Sequence, residues 1–390
     1  FVYAIHDREF IFSSEINALT RHSNVSLDED SEALNFYLQL QYIPAPYTIF
    51  KDIRKLPAAH YGIFTKDGWK VKRYWQVEYK QVENYSNDDL LEQLHDKLDE
   101  SVRIRLIGDR EVGTTLSGGV DSSLITALAA KNSTKPIKTF TIAVKDKMFD
   151  ESIYAKKVSD RYSTEHHVEI IDENIVNLLS DAVEGYGEPF ADKGSLPALA
   201  ISQVASESLK VVLCGDGGDE LLGGYPMYAQ NKLSKFTSPL IERVTTIQQM
   251  VGMISKFQES KLSSKITRKI LNRFIFPELQ TLFYSIYFGD SYRRNILSDR
   301  SLYCSLEQWR TSLLEEAFSL ADDSFNRMIH IQNQTYLPSN GLVKMDIASM
   351  NHSLEVRSPF VDHELIEFCA TLPVDFKLYG NVPKSPLKRI

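Results

Sequence analysis

The chain has 390 residues, 43% apolar and 25% charged, which supports a sizeable buried core in two or three domains and excludes a peptide, a lone small module or wholesale disorder. Lys and Arg total 44 against 52 Asp and Glu, so a net charge of −8 gives the molecule no long-range attraction for a polyanion and argues against general nucleic-acid binding. Three cysteines, Cys214, Cys304 and Cys369, are far apart and odd in number, neither a disulfide framework nor a zinc spacing, and fit a reducing compartment. No apolar run approaches the roughly 18 residues of a membrane span and no signal peptide opens the chain, so the expected setting is cytoplasmic with no membrane partner. The chain opens at Phe1 without an initiator Met and stops at Ile390 where a helix begins, so both ends read as cut.

Short apolar runs at Phe1–Ile5 and Glu9–Ser13 flank a polar turn, and Tyr61–Phe64 and Trp69–Trp75 flank Lys66-Asp67-Gly68, so each pair predicts a β-hairpin. Between them Leu34, Tyr37, Leu38 and Leu40 predict one helix, after which Pro44, Pro46 and Pro57 impose an irregular stretch. The polar segment Gln81–Asn87 ends this region, and Asn87 is placed to cap a helix with the core stripe Leu90, Leu91, Leu94, Leu98 and Val102. A domain boundary is placed near Asn84, giving domains 1–84 and 85–390.

Strands Val112–Leu116, Ile137–Val144, His167–Ile171 and Lys210–Cys214 then alternate with helices Ser122–Lys131, Glu151–Tyr162, Glu173–Glu184 and Ala198–Glu207. Helix-length crossovers predict a parallel sheet with helices on both faces, whose ligands gather at the carboxyl ends of the strands. From about Leu222 to Ile390 the periodicity is mostly helical.

The string Leu116-Ser117-Gly118-Gly119-Val120-Asp121-Ser122-Ser123 falls where a strand ends and a helix starts. Its glycines let backbone approach an anion, the first helical N–H groups point at that anion, and three hydroxyls add donors: a phosphate cradle. It lacks the Gly-Lys-Ser/Thr end of a Walker loop, and Asp121 is suited to hold magnesium against the phosphates. The second string, Cys214-Gly215-Asp216-Gly217-Gly218-Asp219-Glu220 through Tyr225, also follows a strand. Its carboxylates suit a shared magnesium at Asp121 and Asp219 better than direct phosphate contact, although alone it reads equally as a solvated acidic turn.

Ser117–Ser122 resembles the pyrophosphate loop of enzymes that cleave ATP between its α- and β-phosphates. Together with Phe149-Asp150-Glu151, Ser195-Leu196-Pro197, Gly215–Glu220, Leu354–Asp362 and the run from Lys384 to Lys388, it resembles the glutamine-hydrolysing asparagine synthetase family over nearly the whole chain. Tyr3–Leu19 is similar to the end of that family's glutaminase domain. The implied fold is α/β: a parallel-sheet ATP pyrophosphatase domain, like the adenine nucleotide alpha-hydrolases, with a helical C-terminal part. A truncated antiparallel β-rich remnant, the C-terminal part of a glutaminase domain plus linker, precedes it.

The resemblance implies a two-step reaction in which the side-chain carboxylate of aspartate attacks the α-phosphorus of ATP and ammonia, derived from glutamine, displaces AMP. Leu116, Ile142, Cys214 and Gly215 would border the adenosine, Ser117, Gly118, Gly119, Asp121 and Ser122 the pyrophosphate, and Asp121 and Asp219 Mg2+. Lys384 would stabilise charge on the five-coordinate phosphorus, with Lys388 a basic position one turn later; without the family both read as exposed cations near a chain end. Asp216 occupies a catalytic position where close relatives that close β-lactam rings carry tyrosine. Glu355 matches a catalytic glutamate but suits a structural pair with Arg357 equally well. Ser195 is the candidate on the substrate side, and Ile347 replaces an expected arginine. The family's glutaminase nucleophile, an N-terminal cysteine, is none of the three present, so the native protein is expected to be longer and glutamine-dependent and this piece to use only free ammonia.

Other readings are an amidotransferase for a sugar acid or another carboxylate, a nucleotide-binding regulatory subunit, and a tRNA-modifying adenylating enzyme. The implied partners are small molecules, and a homodimer is one admissible assembly. The segment Asn231–Phe274 carries nine Lys or Arg against two Glu, and Phe283–Tyr292 is rich in aromatics; a solvated helical face and core packing account for them. His166-His167 lacks a partner at metal-ligand spacing.

Overall fold

The computed structural model describes residues 1–6, 9–146, 150–229 and 302–390, with the single positions 247, 249, 278, 281, 282, 288 and 296 between the last two. Phe149, the basic segment Asn231–Phe274 and the aromatic run Phe283–Tyr292 lie outside the described residues, apart from the single positions just named. The chain divides into two compact units that interleave along the sequence. One comprises Phe1–Tyr79, Tyr186–Ala191 and Tyr225–Asn340, the other Lys80–Gly185, Asp192–Gly224 and Gly341–Ile390.

In the first unit both predicted hairpins form. β1 (Val2–His6) pairs antiparallel with β2 (Glu9–Ser13), Val2 opposite Ser13. After the short α1 (Ile16–Leu19) and α2 (Ser31–Leu40), β3 (Ile53–Lys55) pairs with the other edge of β1. Three residues are too few to show an alternation, so β3 is invisible in the proline-rich stretch that contains it. β4 (His60–Thr65) and β5 (Gly68–Arg73) form the second hairpin. Helix α2 starts where Asp30 Oδ1 accepts from Glu32 N and Ala33 N, and its apolar stripe buries Phe36 and Leu40 with Leu306 of the helix Leu302–Leu320.

The second unit holds an all-parallel sheet, as expected, but of five strands where the sequence reading named four. α3 (Asn87–Arg105) leads in, capped by Ser86, whose Oγ accepts from Asp88 N at 3.3 Å. Asn87, expected as the cap, is instead the first helical residue. β6 (Val112–Thr115), α4 (Val120–Lys131), β7 (Lys138–Val144), α5 (Ser152–Tyr162) and β8 (Glu165–Ile171) follow. A 3₁₀ turn (Glu173–Leu178), α6 (Leu179–Tyr186) and α7 (Ser195–Ser206) return the chain to β9 (Val211–Leu213) and α8 (Gly218–Leu222). Later come α9 (Leu342–Met350), β10 (Glu355–Arg357) and α10 (His363–Thr371). The strand order is β10-β9-β6-β7-β8, with β10 a strand the sequence reading missed.

This order decides where a ligand can sit. From β6 the chain moves toward β7 and β8, and it later places β9 on the opposite side of β6, so the carboxyl ends of β6 and β9 flank the topological switch point. Parallel crossovers cover both faces. On one, Leu90, Leu94, Leu98 and Val102 of α3 pack with Ile125 and Leu128 of α4, Val112, Leu213 and Leu365. On the other, α7 lies against β7 and α9. Each fully buried aliphatic side chain contributes about 1.5–3 kcal/mol, as an upper estimate. Among the described residues no helix is long and apolar enough to cross a membrane.

Candidate active site

The first loop leaves β6 at Leu116, which is 1% exposed and whose N–H donates to Phe140 O at 2.8 Å, continuing the sheet one step past the strand. The chain then turns through Gly118 at φ +85°. Ser117 N donates to Ser122 Oγ at 3.2 Å, the two hydroxyls lie 2.9 Å apart, and Gly119 N donates to Ser117 Oγ at 3.3 Å. The hydroxyls thus gather at the N-terminus of α4, where unpaired N–H groups and the helix dipole favour an anion. Ile142 is half-buried near the carboxyl end of β7, next to this loop.

The second loop leaves β9 at Cys214, which is 3% exposed and whose N–H donates to Arg357 O at 3.0 Å. Its thiol lies 2.9 Å from Ser358 Oγ and 3.5 Å from Asp216 Oδ2, and burial, reinforced by the Asp216 charge, pushes it well above the ordinary range. Cys214 is therefore a neutral packing group, and Cys369, pushed up to about 12 by burial, is likewise inert. Cys304 lies in the helix Leu302–Leu320.

The two loops touch because of glycine. A Cβ on Gly215 would stand 2.8 Å from Ser122 N, and one on Gly218 would stand 2.7 Å from Asp121 Cγ. Across this contact Lys384 Nζ donates to Asp121 Oδ2 and lies 2.7 Å from Asp219 Oδ1. Burial pushes the Asp121 carboxyl up to about 6 against the pull of Lys384. Burial also opposes the charge of Lys384, but the two carboxylates outweigh it and hold the ammonium above the usual lysine value. Lys384 sits at φ +54°, a left-handed conformation costing a non-glycine residue about 1–2 kcal/mol, and its two ion pairs hold it there. Sequence placed these three residues in one site, and the structure brings them together.

The other candidates divide. Asp216 is in the second loop, its carboxyl pushed up by burial and opposed first by the charge of Lys344. Ser195 is buried in the first turn of α7, but its hydroxyl donates to Asp192 O at 2.7 Å and so holds a turn together. Lys388 is exposed, one turn beyond Lys384. Glu355 is a correction. It begins β10 opposite Val211, at the amino end of the parallel sheet, is exposed, and pairs with Arg357 Nε at 2.6 Å. The loops lie at the other end of the strands, so of its two readings the structural one holds. His166 bonds to Thr139 Oγ1 at 2.8 Å and His167 stacks on Phe140, both strand contacts.

Sequence reasoning missed Lys344 on α9 and Asp192 before α7, whose side chains lie 3.6 Å apart, and Ser358 beneath Cys214. No local spacing marks these residues, because only the crossovers bring them to the loops.

The donor set suits magnesium. Asp121 and Asp219 converge on one cation, and Asp121 Oδ1 is buried with no hydrogen-bond partner. Mg2+ takes one or two carboxylates, waters and substrate phosphates in preference to an all-protein cage. Among the described residues no group of three or more His, Cys, Asp or Glu forms such a cage.

A profile described as Asparagine synthase matches residues 93–390, and one described as Glutamine amidotransferase domain matches residues 1–75. The chain is 31% identical over 360 residues to the putative asparagine synthetase [glutamine-hydrolyzing] 2 of Methanocaldococcus jannaschii, covering 90% of this chain and 67% of that protein. It is 26% identical over 391 residues to asparagine synthetase [glutamine-hydrolyzing] 1 of Bacillus subtilis, covering 99% and 60%. To Amidase chry2 of Gibberella zeae it is 26% identical over 372 residues, covering 86% and 54%. The chain thus spans between 54% and 67% of the length of these relatives. With the Asparagine synthase profile running from α3 to the last residue, across both loops and Lys384, the chain belongs to the asparagine synthase family.

Proposed function

We propose that the chain forms an amide by adenylating a carboxylate, with aspartate as the acid and glutamine-derived ammonia as the nitrogen source in the longer protein. Residues 1–84 are then the C-terminal part of a glutaminase domain plus linker, and 85–390 the synthetase domain. Leu116, Ile142, Cys214 and Gly215 border the adenosine, while the N–H and hydroxyl groups of Ser117, Gly118, Gly119 and Ser122 hold the diphosphate that departs. Asp121 and Asp219 hold Mg2+, which when bound neutralises the leaving diphosphate.

Lys384 then stabilises charge as the acid attacks the α-phosphorus. The phosphoanhydride bond breaks, pyrophosphate leaves with its electron pair, and an acyl-adenylate remains. Ammonia adds to the acyl carbon, AMP departs, and a proton is released. Lys384 needs no reorganisation to be charged at that moment, since the two carboxylates already keep it protonated. Asp216, in the same loop as Asp219, is assigned to the acid's side of the reaction, and Lys388 adds only exposed charge one turn away.

One observation carries this reading: Asp121 and Asp219, from loops at the carboxyl ends of adjacent strands β6 and β9, converge on the Lys384 ammonium. Incubation of the protein with ATP, Mg2+, ammonia and candidate acids tests it. AMP with asparagine is the expected pair of products, and ADP would overturn the mechanism. AMP with a different amide would move the assignment to another carboxylate, a reading favoured by the similarity to Amidase chry2.

A further inference from the structure

Strand β8 ends the parallel sheet on one side, and among the described residues no strand pairs with its outer edge. Its seven residues run in unbroken register with β7, from Glu165 opposite Lys138 to Ile171 opposite Val144, without a bulge. The opposite edge, β10, has only three residues. Sheets commonly protect a long edge with lysine, proline, a bulge or a cover, because its free N–H and C=O groups invite another strand. β8 contains no lysine, no proline and no bulge, and it presents Val168 at 45% and Ile170 at 63% exposure.

The ladder fixes which backbone groups are free. Glu165 N donates to Ile137 O at 2.9 Å, so in this parallel pair Glu165 and every second residue after it turn N–H and C=O toward β7. His166, Val168 and Ile170 therefore turn theirs to the open edge, and their side chains share one face of the sheet. A strand that adds here must hydrogen-bond at those positions. Charge then selects the register. When a second copy of β8 lies antiparallel about a two-fold axis at Val168, that residue meets its own counterpart, His166 meets Ile170, and His167 meets Glu169, so the whole strand is paired and imidazole faces carboxylate twice. An axis at His167 sets Glu165 against Glu169, and an axis at Glu169 sets that carboxylate against its own copy; like charges directly opposite are destabilising. An axis at His166 or at Ile170 leaves only Glu165–His167 or Glu169–Ile171 of the strand in register.

We propose that β8 is a dimer interface, at which two copies of the chain pair antiparallel about Val168 and join their sheets into one. The occupant of the edge is a second copy because the strand complements itself in charge and in hydrogen bonding, as an isologous contact requires. The inference is independent of the reaction assigned above.

Sedimentation equilibrium and cysteine cross-linking test it. Wild-type protein is expected to be a dimer at micromolar concentration. Ile170→Lys removes a buried apolar contact and adds a charge at two symmetric places in the interface, and is expected to weaken association by about 100-fold, near tenfold at each, with an unchanged circular dichroism spectrum. Val168→Cys, a small change at an exposed position, is expected to give a disulfide-linked dimer under mild oxidation, since a hydrogen-bonded antiparallel pair holds its Cα atoms about 5.5 Å apart, within disulfide reach. Glu165→Cys, about 20 Å from its counterpart in this register, is expected to cross-link no more than wild type. A monomeric wild-type protein would overturn the proposal. So would a dimer that Ile170→Lys leaves intact, one that Val168→Cys fails to link, or one linked through Glu165→Cys in its place.

Discussion

Gly224→Ala perturbs the clamp without replacing any of its members. Gly224 follows α8, and its φ lies outside the left-handed region, so alanine fits the backbone; at such a position the change usually stabilises a chain by about 0.4–1 kcal/mol through the unfolded state. The new methyl, however, would stand 1.7 Å from Asp219 Oδ1 and 2.1 Å from Lys384 Cε, where carbon contacts need about 3.5 Å. Both atoms belong to side chains that can swing, so the chain folds, but the carboxylate and the lysine must each retreat by more than about 1 Å and the 2.7 Å pair between them opens. Misplacement of a charge-stabilising group by about 1 Å costs about 100-fold in rate, near 2.7 kcal/mol of barrier. The expected outcome is a fall in kcat for AMP formation of about 100-fold or more, with the thermal midpoint unchanged or slightly raised. A variant that keeps wild-type kcat would show that the Lys384–Asp219 contact does not serve the reaction.

Two further predictions follow from the charges. Burial raises the Asp121 carboxyl from 3.8 to about 6, so the folded state holds its proton more tightly than the unfolded state. Stability from this group is full below pH 4 and lost as pH rises through 6, a penalty of at most about 3 kcal/mol at 1.36 kcal/mol per pH unit. Asp121→Asn should thus abolish turnover while gaining about 1–3 kcal/mol of ligand-free stability between pH 4 and pH 7.5 relative to wild type, the lower figure allowing for the lost Lys384 pair; thermal melts at both pH values check it, and a flat difference refutes it. Glu355→Gln removes an exposed pair at the far end of the sheet, so kcat should stay within twofold and stability within about 1 kcal/mol by steady-state assay and chemical denaturation.

What was legible in the sequence was what local chemistry dictates. The two glycine-rich loops stand out because a strand, a turn and a helix N-terminus leave their marks within ten residues, and the alternation of strands and helices predicts the parallel sheet that sets them side by side. Lys384 carried no such mark: among the described residues near the chain end it resembles any other lysine until the fold lays it across Asp121 and Asp219. For Glu355 the catalytic reading failed for the complementary reason, while the structural pair with Arg357 held. Its string matched a motif, but whether a residue opens or closes a strand decides which end of a parallel sheet it occupies, and β10 is three residues long. Ser195 was chosen for its segment, yet its hydroxyl is used by Asp192 O, a contact that spacing cannot reveal. Lys344 and Asp192 lie about 150 positions apart, with neither periodicity nor composition to join them.

The arrangement of charge explains why these residues sit together at the sheet's end despite their cost. Asp121 and Asp219 pair with Lys384, the charge of Lys344 bears on Asp216, and burial has raised the carboxyl groups of Asp121 and Asp216 against that help. A fold selected only for stability would replace such acids by apolar groups of similar size, which is often neutral or stabilising. Here the excess of negative charge is left for ligands to satisfy. On the adenylation reading, Asp121 and Asp219 would hold a divalent ion that neutralises the diphosphate, and Lys384, paired with both carboxylates, would supply the positive charge beside the phosphorus under attack. The same carboxylates hold Lys384 charged before any nucleotide arrives, so on that reading its field would be in place without reorganisation when the acid attacks.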